Sequence, residues 1–178
     1  MGISVLKIIG VAFVVVVAAV LLFAATRPDT FRVQRATSIK APPEKIAAVL
    51  GDFHGWQTWS PWEKLDPAMK RSYSGAAKGK GAVYAWQGNS EVGQGRMEIT
   101  EAAPSRVALD LHFVKPFEAH NKVVFTLVPK GDSTEVTWNM QGPLPYMAKV
   151  VHMFFDMDNM VGKQFETGLA NLKTLTEK

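Results

Sequence analysis

Two kinds of hydrophobic pattern divide the chain. From Ile8 to Thr26 every position is apolar or small (IIGVAFVVVVAAVLLFAAT), and no charge interrupts the run. A helix of about 19 residues rises about 28 Å, close to the hydrocarbon thickness of a bilayer. The β-branched run Val14 to Val17 lowers helicity in water. In lipid the backbone has no solvent to bond, and the helix wins. Past Arg27-Pro28-Asp29 the pattern changes to alternation. Phe31, Val33 and Arg35 oppose Arg32, Gln34 and Ala36, which predicts a strand over Phe31–Lys40. Ala41-Pro42-Pro43-Glu44 then opens a helix, with proline in the first turn and an acid complementing the dipole. That helix carries Ile46, Val49 and Leu50 and stops near Gly51. An aromatic cluster, Phe53 to Trp62, follows as a turn or a second short helix.

Six further strands are predicted. Lys70–Ala76 and Ala82–Gln87 flank the turn Lys78-Gly79-Lys80-Gly81. The next four alternate around Met97 and Ile99, around Val107, Leu109, Leu111 and Phe113, around Val123, Phe125 and Leu127, and around Val136, Trp138 and Met140. Strict alternation over consecutive strands means an antiparallel sheet with one buried face. The chain then reads as one long helix from Leu144 or Tyr146 to Leu175, with Met147, Val150, Val151, Phe154, Val161, Phe165, Leu169 and Leu172 on a single stripe. A curved antiparallel sheet of about seven strands around that helix satisfies both apolar faces, giving an α+β class. Residues 1–26 are expected to form a transmembrane anchor and residues 27–178 one domain.

Composition narrows the function without naming it. The 178 residues are 47% hydrophobic and 20% charged, as in a folded protein. The net charge of +4 is scattered and forms no basic stripe with interleaved aromatics, which argues against nucleic acid as a partner. The chain has no cysteine, which excludes disulfides, thiolate metal sites and cysteine nucleophiles. A cleaved signal peptide is the alternative for the first segment. Its small-x-small site is poor, because Phe23 and Leu22 occupy the −3 positions of cuts after Ala25 and Ala24. The expected location is therefore a single-pass membrane protein. Arg27, Arg32, Arg35 and Lys40 follow the span against Lys7 and the α-amino group before it, which weakly favours a cytoplasmic domain.

The order strand, helix pair, six strands, long helix resembles the helix-grip fold of the START-like, or SRPBCC, superfamily. Arg27–Lys178 is similar to its polyketide cyclase/dehydrase and lipid-transport branch. The resemblance is carried by Ile39-Lys40-Ala41-Pro42-Pro43-Glu44 entering the first helix and by Trp56-x-x-Trp59-Ser60-Pro61-Trp62 after it. Gly81-x-x-x-x-Trp86-x-Gly88-Asn89, Gly93-x-Gly95-Arg96-Met97 and Lys115-Pro116-Phe117-Glu118 support it. These motifs mark a fold that hosts binders, transporters and a few enzymes. The resemblance implies a hydrophobic cavity between the sheet and the C-terminal helix.

On that fold Trp59, Trp62, Trp86 and Trp138 fall on or near the inner surface, with Met97, Phe113, Met140, Met147 and Phe154. Aromatic and methionine walls suit an apolar ligand of irregular shape, whereas a core of this size is ordinarily closed with leucine and isoleucine. Asp158 lies in the apolar stripe of the last helix. It orients a polar head group or acts as an acid/base, unless a turn of the helix sets it at the solvent edge or an arginine pairs with it. Asn121 shares the face of Val123 and Phe125 and is a second polar contact. His112 and His120 face each other across a hairpin turning at Pro116, on the solvent side. The four histidines make no metal set by spacing, and no Ser-His-Asp group or cofactor motif is expected. Three functions compete: a membrane-anchored binding protein for a hydrophobic small molecule or lipid, a cyclase- or dehydratase-type enzyme on a bound apolar substrate, and an interaction module with a filled cavity.

Overall fold

The computed structural model describes residues 2–178. Helix α1 (Gly2–Ala25) leads into β1 (Thr30–Ile39), α2 (Pro43–Leu50), a 3-10 turn (Phe53–Thr58) and α3 (Trp62–Leu65). Six strands follow: β2 (Lys70–Gly75), β3 (Ala82–Gln87), β4 (Gln94–Ala103), β5 (Arg106–Lys115), β6 (Ala119–Lys130) and β7 (Ser133–Pro143). Two helices, α4 (Tyr146–His152) and α5 (Met157–Thr176), end the chain. All seven strands make one antiparallel sheet in the order β1-β7-β6-β5-β4-β3-β2. This is the α+β helix-grip arrangement, and the strands stand where alternation predicts them.

Alternation decides which face is dry. Val33, Ile39, Ile99, Val107, Leu109, Val123, Phe125, Leu127, Val136 and Trp138 are buried on the concave face, with α2 and α5 packed over them. Each fully buried branched or aromatic side chain contributes roughly 1.5–3 kcal/mol relative to exposure. Helix α5 approaches the sheet closely at Gly168, where a Cβ would stand 2.7 Å from the Trp138 ring and 3.2 Å from Pro61. Only a hydrogen on that Cα leaves room for the indole.

One expectation is corrected. The single C-terminal helix is broken at Met153–Asp156, and Asp156 restarts it by accepting the Asn159 N–H at 2.9 Å. An acceptor at the N-cap favours a new helix start over continuation. The break resets the helical phase. Phe165, Leu169 and Leu172 face the sheet as predicted, but Met147, Val151 and Phe154 are exposed. The break also leaves Asp158 exposed in the first turn of α5, in phase with Phe165 but paired with Arg35 of β1.

Helix α1 is apolar from Ile8 to Ala25 and mostly exposed, long enough to cross a bilayer. Its last turns meet α4. Ala24 is fully buried, the Tyr146 hydroxyl donates to the Leu21 carbonyl at 2.6 Å, and the Lys149 ammonium pairs with Asp29 at 2.5 Å.

Candidate functional site

The sheet and the two helices after Gly51 gather the predicted tryptophans, but unevenly. Trp59 is fully buried beneath α5, its backbone carbonyl held by Asn171 Nδ2 at 3.0 Å. Its ring lies 5.6 Å from Trp138 and 6.2 Å from Phe125. Trp62, half-buried, packs edge-on against Trp138 and Phe165 at 5.7 and 6.0 Å. Trp138 stacks on Phe165 at 4.2 Å with 7° between planes. Trp86 stands apart with Phe113, edge to face at 5.6 Å. Met97 and Met140 are buried on the same inner face, whereas Met147 and Phe154 point outward.

Hydrogen bonding separates these residues further. Trp56 Nε1 donates to the Leu50 carbonyl at 3.0 Å and Trp86 Nε1 to the Val92 carbonyl at 2.9 Å. Trp59 Nε1, Trp138 Nε1 and Asn121 Oδ1 have no protein partner among the described residues, and all three residues are more than nine-tenths buried. A buried polar atom left unbonded costs about 1–3 kcal/mol. Asn121 sits on the inner face, directly across from Leu111, and its amide fits because Gly142 lacks a side chain.

Asp158 meets an arginine. Arg35 lies on the inward parity of β1 and reaches α5 where Gly162 leaves room. It donates to Asp158 at 3.0 Å and to Glu166 at 2.8 Å, which fastens β1 to α5. The bond to Asp158, then that to Glu166, pushes the guanidinium pKa further up. Both carboxylates are largely exposed, so solvent screens the brace and its role is to hold β1 and α5 in register. Beside it, a cleft of about 500 Å3 opens between β1 and the α4–α5 turn. Phe31, Val33, Phe154, Phe155, Met157 and Asp158 are among its walls. His152 also lines it, edge-on to Phe31 at 6.1 Å, and burial lowers its pKa.

One buried polar group is not picked out by the sequence pattern. Glu63, in α3, is buried and accepts from Arg71 at 2.7 Å and from the Tyr84 hydroxyl at 2.6 Å. Burial first, then the bond to Glu63, raises the Tyr84 pKa. Every member is satisfied, so the group ties α3 to β2 and β3. Its only sequence signal is an acid directly after Trp62.

On the outer face the predicted histidine pair is present. His112 and His120 are direct cross-strand partners, their rings stacked at 3.9 Å. Glu118 lies 3.3 Å from His112 and 3.5 Å from His120. The three offer ligand atoms within 4.8 Å of one another, a spacing compatible with a metal ion, at an exposed hairpin.

Comparison with known proteins follows the fold. The family model for polyketide cyclase/dehydrase and lipid transport matches residues 30–177. No curated protein matches the sequence. Among solved structures, a Chromobacterium violaceum protein superposes with TM-score 0.58 at 15% identity, covering 85% of this chain and 99% of its own. The Aha1 dimer of Colwellia psychrerythraea gives 0.58 at 19% identity, covering 83% and 96%. Major latex-like protein 151 of Panax ginseng gives 0.59 at 15% identity, covering 84% and 99%. At these identities the likeness is one of fold.

Proposed function

The chain belongs to the polyketide cyclase/dehydrase and lipid transport family, and on that premise we propose that it is a membrane-tethered binding protein for an apolar small molecule. The ligand lies between the inner face of the sheet and α5 and reaches that space through the cleft beside α4. Helix α1 holds the domain at the bilayer, where apolar molecules concentrate.

The observation that carries this reading is the set of unbonded interior atoms. Trp59 Nε1 and Trp138 Nε1 are donors and Asn121 Oδ1 is an acceptor, on three residues picked from the sequence as ligand contacts. Buried polar atoms are ordinarily paired, and these exceptions fall together on residues of the inner face, which supports a ligand as their partner. A ligand with an apolar body and an oxygen acceptor bonds the indoles and is recognised by them. Oxygenated polyketide-like molecules, isoprenoid alcohols and ketones, and lipids share that chemistry.

The Trp138–Phe165 stack favours a second reading. Rings in that contact fill the space between sheet and helix, as in an interaction module closed by its own side chains. The two readings separate in a titration of the full chain with a fatty acid, an isoprenoid alcohol, a polycyclic ketone and a hydrocarbon of matched size. Tryptophan emission and thermal stability report binding. The binding reading expects saturable changes with the oxygenated members. Trp138→Phe keeps an aromatic ring but removes the indole N–H with its five-membered ring, and should weaken the oxygenated ligands about fivefold more than the hydrocarbon, the worth of about 1 kcal/mol. No response to any member selects the filled interior.

A further inference from the structure

We infer that the α1 end of the domain is seated in the bilayer surface, with α4, the turn after it and the β5–β6 hairpin tip embedded in the interfacial layer, so that the cleft opens onto lipid. This rests on the reading of α1 as a membrane span.

The first argument is positional. The Tyr146 hydroxyl bonds the Leu21 carbonyl at 2.6 Å. Leu21 lies four residues before the end of α1, about 6 Å inside the apolar segment at 1.5 Å per residue. The Leu144 N–H bonds the Asp29 carbonyl at 2.7 Å and Lys149 pairs with the Asp29 carboxylate, which fixes α4 against the exit of α1. If α1 spans the hydrocarbon, the first turn of α4 lies at the boundary between acyl chains and head groups.

The second argument is that α4 is amphipathic the wrong way round for a domain in water. It buries Lys149, 6% exposed, and turns out Met147, 68% exposed, and Val151, 49% exposed. Phe154 and Phe155 in the following turn are 69% and 56% exposed. In water such a helix loses its apolar burial; at an interface the outward face gains it.

The third argument is segregation. The pairs Thr30↔Pro143, Lys122↔Gln141 and Phe113↔Ala119 set the β5–β6 tip at the end of the sheet where α1 leaves. That tip carries Phe117, 82% exposed. Among the described residues after α1, every large exposed apolar side chain lies at this end except Met160, in α5 beside the Arg35 brace at mid-strand, and Val128, near the opposite end of β6. Soluble surfaces scatter such residues singly; here they gather at the end of the sheet from which the apolar helix leaves.

The chain has no cysteine, so single reporters are simple to place. Phe117→Cys, Phe154→Cys, Val128→Cys and Val14→Cys, each labelled with an environment-sensitive fluorophore, are reconstituted as full chains into phosphatidylcholine vesicles, with or without nitroxide-bearing acyl chains. Labels at 117 and 154 should be quenched several-fold more than the label at 128, and nearly as much as the label at 14. Quenching at 14 with none at 117 and 154 overturns the docking while leaving α1 a span. Blue-shifted emission at 117 and 154 without nitroxide quenching assigns the rim to a protein contact and also overturns it. No quenching at 14 removes the span itself, and the docking falls with it.

Discussion

The two ends of the sheet are finished in opposite ways. At the end away from α1, α2 and the C-terminal half of α5 close over the strands. Ile39, Ile46, Leu50 and Leu172 are fully buried there, and the Thr134 hydroxyl bonds the Ala41 carbonyl at 2.7 Å. At the α1 end, helix α4 buries a lysine and presents methionine and valine outward, and a phenylalanine pair leads into α5. Both ends carry large apolar side chains. What differs is the partner: at the first end it is the sheet, whereas at the second the outward apolar side chains are exposed, and α4 touches the last turns of α1 through Tyr146. An apolar pattern thus states that burial is required and leaves open against what.

That comparison can be broken or sharpened by substitution. The largest effect is expected in the closed region. Trp138→Ala removes a buried indole packed on Phe125, Phe165, Trp59 and Trp62, and should cost about 3–5 kcal/mol in urea denaturation of the full chain. A cost below about 1 kcal/mol would mean that the interior is loosely packed. Glu63→Gln leaves Arg71 without its charged partner and should cost about 3 kcal/mol by the same measurement. Gly168→Ala places a methyl 2.7 Å from the Trp138 ring and should cost about 1–3 kcal/mol, with a shift in tryptophan emission as the indole yields.

At the open end the same test should give little. Met147→Ser and Phe154→Ser should each change the unfolding free energy of detergent-solubilised protein, read from urea titration, by less than about 0.5 kcal/mol, because both side chains are largely exposed. A loss of about 2 kcal/mol or more would make α4 part of the core. The smallest effect is a pH dependence. Burial depresses the His152 pKa, so its contribution is fully present above the ordinary value near 6.5. As pH falls toward the folded value, the unfolded chain takes up the proton first and that stability is lost. Arg32, Asp156 and Asp158 line the same cleft and set the background. His152→Gln should flatten the part of the stability difference between about pH 7.5 and pH 5 that His152 carries.

Most of the fold was legible because alternation in seven strands leaves one solution for the dry face. Trp138, Phe125 and Val123 lie where their parity places them. The broken helix was not legible. Met147 to Phe154 and Val161 to Leu172 fit one wheel, and only the capping geometry of Asp156 shows that the wheel is interrupted. Arg35 and Asp158 illustrate a second limit. The sequence shows an arginine on the inward parity of β1 and an acid on an apolar stripe. That the two meet depends on the packing distance set by Gly162, which no pattern within either element reveals. Trp56 and Trp86 find the Leu50 and Val92 carbonyls six residues away, whereas Trp59 and Trp138 find none, and no hydrophobic pattern reports whether a carbonyl faces an indole.

The most direct test is native mass spectrometry with organic extraction on residues 27–178, purified from cells without detergent. The account predicts a retained apolar species of defined mass that carries oxygen and is lost or much reduced in Trp138→Phe. A bare protein mass, unchanged after exposure to the same ligand panel, would contradict it and leave an interior closed by its own aromatic side chains.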